Sequence, residues 1–367
     1  MKILISYLTG LGNTILFIPT LRLLQQRFPE AIIDVLVRHE VSKDILKRIN
    51  RCRHLYVFNS STHPTLKGKL GFLYMLRRER YDVNITAFPA NRTEFNLLSF
   101  LIGAKRRIAP RYQVGYMETL GFLQTDLVGS SVFCHDVKQN LSLLTRLGID
   151  VSHAEDNLCW DLHPEEKTYA ETWLQSVNVA PQDRLIGFHP GCNPSQGNIY
   201  KRWPAKYFAR LGDRLTEEFG VKILILGSDD ELSLNKDIFS FMEHKPLIPE
   251  PTTILNTAAL IKQCTLFVSN DSGLMHTATA MRVPTVGLFG PSDPGRNAPY
   301  GKGHIIVRSN LACIPCNKYP HYQYGGSYVQ CVYEREQKGY CMQSLSVDQV
   351  YETIVRNYAE ILNPERT

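Results

Sequence analysis

Long apolar runs are missing from this sequence. No segment of about 18 residues is continuously apolar, so no helix able to cross a bilayer is expected. The opening MKILISYLTG is too short in apolar residues for a secretory leader, which points to the cytosol. Low-complexity tracts are missing too. Charged residues make up 21% of the 367 positions and apolar residues 44%, a globular composition that excludes fibrous and disordered classes. There is no complete Gly-x-Gly-x-x-Gly, because Gly10 and Gly12 are followed by Ile15 where the third glycine would stand, so a dinucleotide fingerprint is not expected. The interleaved basic and aromatic residues of nucleic-acid readers are also absent, and no nucleic-acid partner is expected. The nine cysteines, in a reducing compartment, should be mostly thiols.

What is present is unevenly charged. Residues 1–150 carry 21 Lys and Arg against 11 Asp and Glu, a balance of +10, while residues 151–367 carry 20 against 24, a balance of −4. Asymmetry of this kind speaks to partners, so the first half should meet an anionic glycan, a lipid-linked acceptor or an anionic membrane surface. Two series of short β-branched runs alternate with amphipathic segments. KILIS, IIDVLV, HLYVF and DVNITAF form the first, and RLIGFHP, VKILILG, TLFVSN and VPTVGLFG the second. Strand and helix alternating at this spacing predict two doubly wound, Rossmann-like α/β domains, 1–165 and 180–345, joined by a helix and linker near 163–184. A last helix over 346–363 is expected to pack back on the first domain. At 367 residues two cores are expected rather than one.

The chemistry-bearing residues fall where such strands end. TGLGNTILFIPT places Gly12 and Asn13 at a helix start after the first strand. FHPGCNPSQGNIYKRWP places His189, Gly191 and Ser195 in a polar loop ahead of Lys201. GSDDE brings Asp229, and SNDSGLMH sets Asp271, Ser272, Gly273 and His276 around another helix start. Free amides and the positive helix end suit an anion there. Open α/β sheets bind ligands beyond the carboxyl ends of their strands, so these loops should line one crevice.

The ordered set GLGNTILFIPTLRLL, HPG…KRWP, LGSDDE and SNDSGLMHTATAMRVPTVGLFGPSDP resembles the heptosyltransferases of glycosyltransferase family 9 along nearly the whole chain. The resemblance implies a GT-B fold, two Rossmann-like domains facing across a crevice. It also implies an inverting transfer of a sugar, a heptose from ADP-heptose, onto a lipopolysaccharide-core, glycan or protein acceptor. By the same resemblance Gly12, His189, Gly191, Ser195, Asp271, Ser272, Gly273 and His276 line the nucleotide sugar. Asp229 meets the ribose, a place that Asp230 or Glu231 could also take, and Lys201 contacts the diphosphate and stabilises the departing nucleotide. No catalytic metal is implied, since lysine and amides already neutralise the diphosphate. Where relatives acting on lipopolysaccharide carry an aspartate proposed as base, this chain has Asn13, which cannot take a proton at neutral pH. Asn13 is therefore expected to orient acceptor or sugar by hydrogen bonds, and the alternative function is a non-catalytic nucleotide-sugar or glycan binder.

Two groups remain. Cys313, Cys316, Cys331 and Cys341 follow the spacing C-x2-C-x14-C-x9-C. Four thiolates could close a structural zinc or iron site, and reduced thiols or a chance disulfide are the alternatives. Relatives that act on protein have an iron-holding cysteine finger, which the resemblance extends to this segment. Lys105, Arg106, Arg107 and Arg111, with Arg77, Arg78 and Arg80, supply guanidinium forks suited to a phosphorylated acceptor, and some of them are expected to be solvated helix faces. A peripheral contact with the inner membrane through this basic half is the expected setting.

Overall fold

The structure is a computed structural model, and it describes residues 1–363 apart from 50, 113–114, 132–133, 193–198, 317–330 and 332–338. The chain divides into two units, the first being Met1–Trp160 and the second opening at Asp161. The domain boundary therefore falls just before the expected joining helix.

The first unit runs β1 (Lys2–Tyr7), α1 (Leu11–Arg27), β2 (Ile32–Val37), α2 (Glu40–Lys47), β3 (His54–Val57), α3 (Leu66–Arg78), β4 (Val83–Thr86), α4 (Thr93–Ile102), β5 (Arg106–Arg111), β6 (Asp126–Gly129) and α5 (Asp136–Ser142). Its six strands are all parallel in the order β3-β2-β1-β4-β5-β6. This is the Rossmann order, in which the chain reverses direction across the sheet between β1 and β4. Of the central strands β4 is wholly buried and β1 is buried beyond Lys2, as strands covered by helices on both faces must be. The basic run 106–111 is itself strand β5, so Arg106, Arg107 and Arg111 do not stand on a helix face. In α5 the His135 ring caps the helix, accepting from the Val137 amide at 3.3 Å.

The second unit runs α6 (Pro164–Ser176), β7 (Leu185–His189), α7 (Ala205–Phe219), β8 (Lys222–Ile225), α8 (Leu232–Phe241), α9 (Ile254–Lys262), β9 (Leu266–Asn270), α10 (Gly273–Ala280), β10 (Thr285–Phe289), α11 (Pro294–Asn297), β11 (Ile305–Arg308), α12 (Tyr340–Gln343) and α13 (Val347–Leu362). Its parallel sheet has the order β11-β10-β9-β7-β8. Leu247 adds a single parallel bridge beside Leu224, with both backbone bonds at 2.8 and 2.9 Å. Counted as an edge strand, that bridge gives the second sheet the order of the first.

The expectation for the last helix is corrected. Val350, Tyr351, Ile354, Tyr358 and Leu362 of α13 belong to the core of the second unit, with Phe208, Leu211 and Leu215 of α7, rather than to the first domain. The helix repeats apolar residues on one face, and the adjacent partner that can cover that face is α7. No helix among the described residues is long and apolar enough to cross a membrane.

One polar cluster holds the first sheet at the ends away from its ligand loops. Asp34 of β2 is fully buried and accepts from Arg53 at 3.1 and 2.5 Å, from the Tyr81 hydroxyl at 2.6 Å and from the His54 amide at 3.0 Å. Arg53 also bonds Glu79 at 2.6 Å, which pairs with Lys2 at 3.3 Å. Burial works to raise the Asp34 carboxyl, but the Arg53 and Tyr81 bonds outweigh it and hold the group below its usual range. A buried carboxylate survives only with such full pairing. Arg53→Met should cost about 3–5 kcal/mol at neutral pH by leaving that charge without its cation. Because the Asp34 shift is downward, its stabilising effect is present above the unfolded carboxyl pKa and fades as pH falls below it. Denaturant unfolding of both proteins across pH should show the gap narrowing in acid.

Candidate active site

In the second sheet the chain reverses between β7 and β9, so the loops leaving these strands separate. The gap they leave is where a doubly wound sheet takes its ligand. His189, the last residue of β7, is 4% exposed and bridges two loops. Its Nδ1 lies 2.8 Å from the Ser272 hydroxyl and its Nε2 3.2 Å from Glu231 Oε2. Glu231 also accepts from the Ser228 amide at 2.9 Å and the Ser228 hydroxyl at 3.2 Å, closing a capping box on the short 3-10 turn Asp229–Glu231. Burial works to raise the Glu231 carboxyl, and the bonds from His189 and Ser228 overcome it to bring the group down to about 2. Gly191 follows from this packing, since a Cβ there would stand 1.8 Å from Glu231 Oε1.

The second half of the site surrounds α10. Ser272 caps that helix, accepting from the Met275 amide at 3.4 Å, and its hydroxyl lies 3.1 Å from Ser269. Asp271, just before the cap, is 6% exposed and takes a 2.6 Å bond from Lys201 Nζ, itself largely buried. Burial works to raise the Asp271 carboxyl, and the Lys201 ammonium, with smaller help from Ser292 and His276, holds it low. The Lys201 loop is stitched down beside it. Asn270, fully buried, accepts from the Trp203 amide at 3.0 Å and donates to the Pro190 carbonyl at 2.6 Å, while the Trp203 indole donates to Leu345 at 2.8 Å. One asparagine thus joins the loop after β7, the end of β9 and the approach to α7.

Of the residues singled out in the sequence, the fold brings together His189, Gly191, Lys201, Asp271, Ser272 and Gly273. His276 lies one turn into α10 and is buried. Asp229 is exposed, and the acid turned inward is Glu231, two residues on. Ser195 lies outside the described residues. Asn270 is the member that sequence reasoning passed over, and Glu231 stood there only as a substitute for Asp229. The capping box Ser228-x-x-Glu231 was the available signal for choosing it, because it turns the third residue back toward the strand end.

Gly12 and Asn13 open α1 in the first unit, where the sheet has its own reversal between β1 and β4. A shallow depression lies there, lined by Ser6, Thr9, Thr86, Pro89 and Phe95. The Thr9 and Thr86 hydroxyls in it are buried and meet no partner among the described residues. The arginine cluster is more engaged than expected. Lys105 pairs with Asp82 at 2.8 Å, Arg106 with Asp126 at 2.6 Å, and Arg107 donates to the Leu123 and Ala104 carbonyls at 2.8 and 2.9 Å.

All nine cysteines are free thiols. The four of the spaced set gather in the second unit: burial raises the Cys341 thiol to about 12, and Cys316, Cys331 and Cys313 each add to that rise. Cys316 Sγ lies 3.6 Å from the Cys313 carbonyl, and a Cβ on Gly290, just past β10, would meet Cys341 Sγ at 2.8 Å. Even so, no group of three or more His, Cys, Asp or Glu among the described residues is arranged to hold a metal ion.

A family model, glycosyltransferase family 9 (heptosyltransferase), matches residues 72–324. The chain belongs to glycosyltransferase family 9. It is a glycosyltransferase, and the non-catalytic alternative is set aside. Among family 9 relatives, it is 27% identical to lipopolysaccharide heptosyltransferase 2 of Escherichia coli over 324 residues, 84% of this chain and 88% of the relative. A family 9 glycosyl transferase from Veillonella parvula superposes with a TM-score of 0.77 at 21% identity, covering 99% of this chain and 98% of the other. The E. coli heptosyltransferase WaaC, solved with ADP-2-deoxy-2-fluoro heptose, gives 0.69 at 17% identity over 97% and 100%. These likenesses bear out the GT-B fold class.

The contact between Gly191 and Glu231 gives a test within this family 9 site. Gly191→Ala should destabilise by about 1–3 kcal/mol, as overpacking does, by displacing the carboxylate. Glu231→Ala should remove most of that cost, so a double-mutant cycle in thermal unfolding should show strong coupling.

Proposed function

We propose that this enzyme transfers a heptose from ADP-heptose onto an inner-core lipopolysaccharide acceptor, in the cytoplasm, with inversion at the anomeric carbon. The observation that carries the reading is the buried Lys201–Asp271 pair beside the start of α10, at the sheet reversal of the second unit. In the reaction the acceptor oxygen forms a bond to the anomeric carbon as the bond from that carbon to the diphosphate oxygen breaks. ADP leaves with the electron pair. Negative charge grows on the departing diphosphate, where Lys201 and the first amides of α10 donate. Asp271 is a positioning residue that holds the ammonium by its 2.6 Å bond. His189, Gly191, Ser195, Ser272, Gly273 and His276 line the donor, and Asp229, exposed at its turn, is free to reach a ribose. In the first unit Gly12 and Asn13 meet the acceptor. Asn13 orients it by hydrogen bonds, and the acceptor proton leaves late, to solvent or another group. The similarity to lipopolysaccharide heptosyltransferases, one of them solved with an ADP-heptose analogue, supports this choice of donor and acceptor.

Lys201→Ala should lower transfer from ADP-heptose to a deacylated core oligosaccharide by about two orders of magnitude. Since that change orphans a buried carboxylate, Lys201→Ala with Asp271→Asn should regain thermal stability without regaining turnover. Wild-type turnover in either folded variant would remove Lys201 from the reaction.

We also infer that Cys313, Cys316, Cys331 and Cys341 hold one zinc or iron. The mutual influence of the four thiols, with Cys316 beside the Cys313 carbonyl, supports this. Bound, the metal would supply a cross-link, since four thiolates fill a tetrahedron and leave no open position. The segment adjoins the catalytic side: a Cβ on Gly339 would come within 3.6 Å of Tyr200, the residue before Lys201. Protein purified without chelator should contain about one metal per chain by elemental analysis, and Cys316→Ser should lose it together with thermal stability. Metal-free protein with four freely titrating thiols would exclude the site.

A further inference from the structure

Eight of the fifteen exposed large apolar side chains among the described residues lie on α3, α4 and the short 3-10 turn Gly121–Leu123. On α3, Leu66, Leu70 and Tyr74 are 73%, 55% and 65% exposed. Their spacing of four residues lines them along one side of the helix, opposite Leu76, which is buried in the core. On α4 the outward positions are Leu97, Phe100 and Leu101. The two helices pack on one another, and Arg77 of α3 donates to the Leu101 carbonyl at 3.0 Å, so their outward faces adjoin. Phe122 continues the surface, since its turn packs against α4.

Cations surround this apolar strip. The segment of α3 reads LKGKLGFLYMLRR, four basic residues and no acid. Among the described residues no carboxylate pairs with Lys67, Lys69, Arg77 or Arg78. Arg78 stands over the Tyr74 ring at 5.9 Å and Arg107 over the Phe100 ring at 5.7 Å. Large apolar side chains beside unpaired cations match a surface that is apolar inside and negative outside. We propose that α3, α4 and the Gly121–Leu123 turn dock this enzyme on an anionic phospholipid bilayer, with the leucines and aromatics entering the headgroup boundary and the lysines and arginines meeting lipid phosphates. A second copy of the chain fits less well, because a two-fold contact through α3 would set like charges against each other. The proposal deepens the functional reading by naming where a lipid-borne acceptor is met, but it rests on this face alone.

Each basic side chain close to an anionic surface contributes about 1 kcal/mol, a factor of about five in partitioning, and the burial of each leucine adds a comparable amount. Flotation of the full chain with vesicles rich in phosphatidylglycerol should show binding that is weak on pure phosphatidylcholine and lost in high salt. Leu70→Glu with Tyr74→Glu, at exposed positions, should reduce vesicle binding at least about tenfold while leaving the melting temperature and the ADP-induced thermal shift unchanged. Lys67→Glu with Lys69→Glu should do the same through charge. Absence of vesicle binding by the wild type, or equal binding to both lipids, would overturn the proposal. So would sedimentation showing a dimer that Leu70→Glu dissociates. The ADP shift is read on the same samples, so failure of the membrane face and failure of the donor site give different results.

Discussion

Both sheets of this molecule are constrained by the reversal of their strand order. Helices on either side of the reversal cover opposite faces, so the loops leaving the two central strands cannot cover each other. Polar side chains placed there must be satisfied without the shelter of regular structure. In the second unit they satisfy one another. His189 binds both Ser272 and Glu231, Glu231 folds back on Ser228, and Asn270 ties the Trp203 amide to the Pro190 carbonyl. Such a chain fixes side-chain positions before any donor arrives, which lowers the ordering needed on binding.

Much of this was legible in the sequence, for identifiable reasons. Seven of the eight strands read from apolar runs are largely buried, and only β3, at the edge of its sheet, is not. β5, β6 and β11 escaped because they stand toward the sheet edges and carry charge: β5 reads RRIAPR, and its outer residues are exposed. The helix-start motif at Asp271 and Ser272 was read from local chemistry, which is all that a helix cap requires. Glu231 was not singled out, because three adjacent acids look alike until the turn selects which one faces His189. The direction of α13 was likewise beyond reach, since an amphipathic period says that a face is buried and not against what.

Lys201 illustrates how a surface residue type becomes a site residue. A lysine before a helix is ordinarily solvated, and here it is largely buried because Trp203, two residues on, is anchored in the core by its amide and its indole. The tryptophan lowers the loop, and the lowered loop delivers the ammonium to Asp271. The arginines of β5 show the opposite outcome. Rich in charge and prominent in the sequence, Arg106 and Arg107 are absorbed by Asp126 and by the Leu123 and Ala104 carbonyls. On α3, Lys67, Lys69, Arg77 and Arg78 meet no carboxylate among the described residues.

The bridge at Leu247 bears on what the edge of the second sheet offers to another chain. A full edge strand there would leave a row of unpaired amides and carbonyls, a template on which another extended segment could add. The chain instead touches β8 through one residue, giving an amide to Ile223 and a carbonyl to Ile225, and then departs. The outermost rung is occupied, and nothing beyond it is long enough to be copied. On this side the parallel sheet thus offers little template for another strand, because its last strand is cut down to a single rung.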